Sequence, residues 1–308
     1  MKKIFIDGRN GTTGLRIDER LLCRDDVELI VLPEEKRKDP IARKQALNSA
    51  DFVFLCLPDV ASIEAVSMIE NPNVCVIDTS TAHRTNKDWA YGFPELDKDF
   101  EEKIKNSNRI AVPGCHASGV ISLIYPLVKN GIISPDTALT CYSLTGYSGG
   151  GKKMIAEYEA ENRNPLLKMP RAYALGGNHK HLPEITTVCG LNITPCFLPV
   201  VCDFYSGMEV TVPLFKKDLI KGGMEDIKNI YKELYNSSLV KYSEDNEDGF
   251  LSAGKLSNKD NMIISVFGNE DRILLTSRYD NLGKGASGAA IECLNIKLGN
   301  DKTKTLNI

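Results

Sequence analysis

With 308 residues, 42% hydrophobic and 26% charged, the chain has the make-up of an ordinary globular protein, and its length exceeds the usual span of one core, so two domains are expected. A net charge of −3 without a basic stripe excludes the electrostatic footprint of a nucleic-acid binder, while leaving room for a small local phosphate site. No run reaches the roughly 18 apolar residues of a membrane span, and nine scattered cysteines with no C-x-x-C pair argue against a disulfide framework or a metal site, so a reducing, cytoplasmic setting is expected.

The first half alternates strand and helix. Residues 3–7 read as a strand that opens the chain directly, Gly8-Arg9-Asn10-Gly11-Thr12-Thr13-Gly14 as a glycine turn, and residues 15–22 as a helix. Glycines there let the backbone approach a pyrophosphate whose charge the helix N-terminus stabilises. The spacing is G-x-x-G-x-x-G, which also suits a plain strand-to-helix turn. Apolar runs at 27–32, 51–57 and 73–78 are strands of the kind buried on both faces of a parallel sheet, with helices at 41–49 and 61–70 between them. Glu34 and Glu35 after the second strand suit a ribose diol, whereas Lys36, Arg37 and Lys38 suit a 2′-phosphate or form a solvated loop. Cys56 and Cys75 lie inside the apolar runs and read as small core residues.

Beyond residue 108 the chemistry-bearing motifs begin. A strand at 109–112 leads through Pro113-Gly114 to Cys115 and a helix at 117–128. A thiol at a helix N-terminus faces unsatisfied N–H groups and the helix dipole, which lower its pKa and raise its nucleophilicity; the alternative is a buried cysteine in a turn. Two of the four histidines fall together in His179-Lys180-His181, where an extended segment would project both to one side as an acid and base for the thiol, or as an inert surface pair. Asp78 to Arg84 offers hydroxyls and a guanidinium straight after a parallel strand, the edge at which such sheets bind ligands, and Thr145 to Lys152 is a second glycine-rich loop. Strands at 138–144, 196–201 and 208–214, a helix at 223–235, a hairpin of 263–268 with 272–277, and a helix at 285–298 complete the chain.

Taken in order, the glycine loop, Val76 to Arg84, Tyr91-Gly92-Phe93-Pro94-Glu95-Leu96, Pro113-Gly114-Cys115, Ser143 to Lys152, His179 to Ile185 and Asp280 to Gly288 resemble the short form of the N-acetyl-gamma-glutamyl-phosphate reductase family over most of the chain. The resemblance implies a Rossmann-type, doubly wound parallel sheet formed by residues 1–114 and 284–308, with NADP bound by Gly8, Asn10, Gly11, Thr12, Thr13 and Gly14 and, beside the nicotinamide, by Asn281, Gly283 and Gly285. Residues 115–283 would form an α+β catalytic and dimerisation domain with a mixed sheet, assembling as a homodimer or homotetramer.

The implied reaction is NADPH-dependent reduction of a small acyl phosphate, N-acetyl-L-glutamyl 5-phosphate, to the 5-semialdehyde with release of phosphate, a step in arginine biosynthesis. By the same resemblance Cys115 is the nucleophile that carries a thioester, and His181, with His179 close behind, is the acid and base. Ser80 and Arg84 would hold the phosphate, with Ser148, Lys152 and Glu184 completing the substrate side. The sequence departs from the longer family form in Thr12 and Thr13, where that form has an aromatic, and in His116, where it has a tyrosine, so the task of His116 stays open. The competing readings are an aspartate-semialdehyde-dehydrogenase-like acyl-phosphate reductase, a nicotinamide-independent Cys-His acyltransferase or hydrolase, and a non-catalytic nucleotide sensor.

Overall fold

The computed structural model describes all 308 residues. In chain order its elements are β1 (Lys2–Asp7), α1 (Thr12–Leu22), β2 (Val27–Ile30), α2 (Pro40–Ser49), β3 (Phe52–Leu55), α3 (Asp59–Ser67), β4 (Cys75–Asp78), β5 (Ala90–Tyr91), α4 (Lys98–Asn106), β6 (Arg109–Ala111), α5 (Cys115–Lys129), β7 (Thr140–Gly146), α6 (Gly151–Glu159), β8 (Arg171–Ala172), α7 (Leu182–Cys189), β9 (Cys196–Cys202), β10 (Met208–Phe215), α8 (Met224–Leu234), β11 (Val240–Tyr242), β12 (Met262–Gly268), β13 (Arg272–Tyr279) and α9 (Gly288–Leu298). The chain divides into two compact units: Met1–Pro94 with Lys98–Gly114 and Ala286–Leu306, and Glu95–Asp97 with Cys115–Gly285 and Asn307–Ile308.

The first unit holds a wholly parallel six-stranded sheet, ordered β2-β1-β3-β4-β6-β5. Alternation along its strands explains why both faces are apolar. Ile4, Ile6, Phe52, Phe54, Cys75 and Ile77 enter one core with Ile17 and Leu21 of α1 and Ile291 and Leu294 of α9. Their neighbours Phe5, Val53, Leu55 and Val76 enter a second core with Ala46 and Leu47 of α2 and Ala65 of α3. The chain leaves β1 in both directions, to β2 on one side and later to β3 on the other, so the carboxyl end of β1 is the switch point at which such sheets bind ligands.

The second unit is built on a mixed seven-stranded sheet, β11-β12-β13-β10-β7-β9-β8. Helix α5 packs on β10 and β13, and α8 on β12. The inward row Ser143, Val210 and Ser277 is buried beneath the helices. The outward row reads Leu198, Tyr142, Thr211, Thr276 and Ser265 across five strands.

Several expectations need correction. The segment around His179 and His181 is a turn entering α7, with His181 at the helix N-cap in a right-handed conformation, because Leu182-Pro183-Glu184 starts a helix there. The glycine-rich loop after Thr145 is only briefly irregular: a 3₁₀ turn over Tyr147–Gly150 runs straight into α6. The last helix does not start at residue 285; a π-helical turn over Gly283–Ser287 precedes α9. Helix α5 begins at Cys115 itself and tolerates Pro126 inside it.

Candidate active site

Helix α5 is started by Pro113-Gly114, and its first residue, Cys115, is partly exposed, whereas His116 through Ile124 are buried. The thiol therefore stands at a helix N-terminus with an apolar body behind it, the setting in which N–H groups and the dipole favour a thiolate. Two features fix this turn. Tyr279 donates a hydrogen bond to the Cys115 carbonyl at 2.5 Å. Gly285, in the π-helical turn, lies so close that an added β-carbon would come within 3.1 Å of the Cys115 β-carbon.

Three imidazoles gather in the same unit. The ring centres of His116, His179 and His181 lie 5.3, 5.7 and 4.8 Å apart, so the turn into α7 brings together what the sequence grouped as His179 and His181 and adds the neighbour of the thiol. His116 is buried, with Nδ1 2.7 Å from Ser143 Oγ and Nε2 2.7 Å from the Tyr173 hydroxyl. Burial, then the charges of His179 and Lys180, push its pKa down to about 3. Burial and Lys180 likewise lower His179 to about 4, and its Nδ1 accepts a hydrogen bond from the His181 backbone N–H at 3.2 Å. Both rings are therefore neutral at pH 7. Glu184 is buried in the first turn of α7, while Lys152 is exposed in the first turn of α6.

Ser148 and Asn281 meet directly. Asn281 Nδ2 donates to Ser148 Oγ at 3.0 Å, and its Oδ1 accepts from the Gly207 N–H at 2.9 Å, so one amide ties the 3₁₀ turn to the loop before β10. The turn at Gly283 is pinned by Asp280, which accepts from Leu282 N–H at 2.7 Å, Gly283 N–H at 3.0 Å and the Ser206 hydroxyl at 2.6 Å. Beside it, buried Lys284 pairs with Glu95 at 2.7 Å.

In the first unit the glycine loop has the form a pyrophosphate needs. Gly8 takes φ +87°, and a β-carbon there would sit 2.2 Å from the Cys56 carbonyl oxygen; at Gly14 it would sit 2.5 Å from the Gly8 carbonyl. Gly11 is the N-cap of α1 and brings no side chain to its first N–H groups, so Thr12 and Thr13 begin the helix with open donors. Arg9 folds back to Asp18, and Asn10 Nδ2 reaches Glu34 at 3.4 Å. Glu34 also pairs with Arg37 at 3.0 Å. At the end of β4, Ser80 donates to Asp78 at 2.7 Å, and Arg84 donates to the carbonyls of Val112 and Thr79, both at 2.8 Å. His83, unassigned from sequence, bonds Asp78 at 2.6 Å and stacks on Trp89.

Residues 8–107 match the semialdehyde dehydrogenase NAD-binding domain, and residues 115–281 the semialdehyde dehydrogenase dimerisation domain. The N-acetyl-gamma-glutamyl-phosphate reductase of Rhizobium etli is 44% identical over 96% of this chain and 98% of its own length. The chain belongs to the N-acetyl-gamma-glutamyl-phosphate reductase family. N-acetyl-gamma-glutamyl-phosphate reductase 2 of Pseudomonas putida is 40% identical over 96% of both chains. Among solved structures, aspartate semialdehyde dehydrogenase II of Vibrio cholerae, complexed with ASA, superposes with a TM-score of 0.72 at 16% identity, covering 97% of this chain and 98% of its own. That likeness gives this family member its fold and not its substrate. It is an oxidoreductase, and no helix in it is long and apolar enough to cross a membrane.

The sequence left Ser143, Tyr173 and Tyr279 without a site role. Tyr173 lies in a segment of mostly irregular backbone, where no periodicity points to its place. Tyr279 lies two residues beyond the 272–277 run that reads as a strand, which in the structure extends to include it.

Proposed function

We propose that this chain reduces N-acetyl-L-glutamyl 5-phosphate with NADPH to N-acetyl-L-glutamate 5-semialdehyde and phosphate, through a thioester on Cys115. The observation that carries this is a partly exposed thiol on the first residue of a helix whose next residue, His116, belongs to a cluster of three imidazoles, in a chain 44% identical to a reductase of that name.

The Cys115 thiolate attacks the acyl carbon, the C–S bond forms, and the C–O bond to phosphate breaks with its electron pair on the departing phosphate. Gly8, Gly11 and Gly14, with the open N–H groups of Thr12 and Thr13, fit a dinucleotide, and when bound NADPH supplies the hydride. His181 takes the thiol proton and returns a proton when the C–S bond breaks. His179 is less suited: its Nδ1 is spent on the His181 backbone, which places its ring hydrogen on Nε2 and leaves no lone pair. Arg84, oriented by two carbonyls, serves the leaving phosphate, while Ser80, whose hydroxyl proton goes to Asp78, holds the shape of the turn that carries it; Ser148, Lys152 and Glu184 serve the rest of the substrate; Asn281, Gly283 and Gly285 serve the cofactor.

The setting is cytoplasmic and the assembly a homodimer or higher. The outward face of the mixed sheet supports the latter, since Tyr142, Leu198, Phe215 and Leu274 are exposed on strands of the region matched as a dimerisation domain. The deciding assay is phosphate-dependent oxidation of N-acetyl-glutamate semialdehyde and aspartate semialdehyde side by side with NADP. Preference for the first is expected; preference for the second overturns the substrate.

A further inference from the structure

His116 has no step in this scheme, yet its surroundings are specific. Ser143 is fully buried, and His116 Nδ1 is the only hydrogen-bond partner its hydroxyl has. A neutral imidazole offers one acceptor and one donor nitrogen. If Nδ1 carried the hydrogen, the Ser143 proton would be stranded in a dry site, which is the costlier arrangement. Ser143 therefore donates to Nδ1, the ring hydrogen sits on Nε2, and Nε2 donates to the Tyr173 oxygen at 2.7 Å. The phenolic hydrogen of Tyr173 is left pointing away from the imidazole, with no acceptor in the chain.

Tyr173 is hydrogen-bonded to His116, the residue that follows Cys115, lies edge-on to His179 with ring centres 5.7 Å apart, and has Cys115 among its electrostatic neighbours. Burial, with Cys115 second, raises its pKa well above the usual phenol value, so the donor stays protonated.

We propose that Tyr173 is a further catalytic residue, its hydroxyl oriented by the Ser143–His116 relay to donate a hydrogen bond to the carbonyl oxygen of the acyl group that Cys115 attacks. The role rests on the thioester reading. As the C–S bond forms, the carbonyl π pair moves onto oxygen. The Tyr173 O–H holds that charge without giving up its proton, and the pair returns as the leaving group departs. His116 and Ser143 are positioning residues in this scheme.

The test uses p-nitrophenyl acetate, which acylates a competent thiolate through the same kind of oxyanion, with a C115S control, and compares it with iodoacetamide, whose alkylation of Cys115 develops no oxyanion. Tyr173→Phe is expected to slow the nitrophenolate burst about 10- to 100-fold, while iodoacetamide alkylation stays within about threefold of wild type. His116→Gln, whose amide N–H replaces Nε2–H, should keep the burst within about threefold. His116→Asn should fall as Tyr173→Phe does, and the double variant no further. A wild-type burst in folded Tyr173→Phe overturns the proposal. So does an equal loss of burst and alkylation, or His116→Gln falling as far as His116→Asn. The reporter is not the natural substrate, so an error in the glutamyl assignment leaves the wild-type burst intact, whereas an error about Tyr173 leaves wild type and Tyr173→Phe alike.

Discussion

The hydroxyl of Tyr279, at the end of β13, donates to the backbone carbonyl of Cys115, so the central antiparallel part of the mixed sheet holds the first turn of the helix that presents the thiol. This contact needs a glycine one turn along. At Gly119 a β-carbon would meet Val210 Cγ2 at 2.5 Å, the Tyr279 hydroxyl at 2.6 Å and Ser277 Oγ at 2.8 Å.

Gly119→Ala is therefore expected to destabilise the protein by about 1–3 kcal/mol through overpacking, measured by urea unfolding, and to slow alkylation of Cys115. An alanine variant of wild-type stability would show that α5 shifts away from the sheet at no cost.

Gly285→Ala should separate activity from stability. Its β-carbon would crowd the Cys115 β-carbon at 3.1 Å and the Asp280 carbonyl at 3.1 Å, distances at which neighbours must give by a few tenths of an ångström. We expect about a tenfold loss of kcat from displacement of the thiol, with a far smaller change in Tm. Unchanged turnover would mean that the π-helical turn yields instead.

Acid should destabilise the fold through His116. The unfolded imidazole binds a proton near pH 6.5, whereas the folded one binds it only near pH 3. Between those values the unfolded state holds more protons, so stability is intact above about pH 6.5 and is lost as pH falls towards about 3. His116→Gln removes this titration, and urea unfolding from pH 7 to 4 should show a shallower slope than wild type, by up to one proton or about 1.4 kcal/mol per pH unit. Parallel slopes would show that the ring is protonated in the folded state.

Leu198→Glu and Tyr142→Glu, side by side in the outward row of the sheet, should lower the sedimentation-derived mass to that of one chain if this face joins copies. Each leaves the inward rows untouched. An unaltered oligomer would move the interface elsewhere.

The legible part of the fold was the first unit, where apolar runs buried on both faces and a glycine turn leave few alternatives. The hairpin of β12 and β13 was also legible, from two strand-like runs flanking Asn269-Glu270-Asp271. The geometry around the thiol was only partly so. Local spacing grouped His179 with His181, yet their closeness comes from a turn into α7 and not from an extended strand. The Asn281–Ser148 bond, the Tyr279 strut and the Ser143–His116–Tyr173 chain join residues 133, 164, and 27 and 57 positions apart. Such pairings are set by how helix α5, the turns and the sheet pack on one another, and no local pattern announces them. Helix α6 was missed because it follows a glycine run that reads as loop.

The most direct test is intact-protein mass spectrometry after mixing the enzyme with N-acetyl-glutamyl phosphate in the absence of NADPH, followed by peptide mapping. A gain equal to the acyl group, located on Cys115 and discharged when NADPH is added, is the predicted result. An enzyme that turns over fully yet never carries that adduct would contradict covalent catalysis by Cys115.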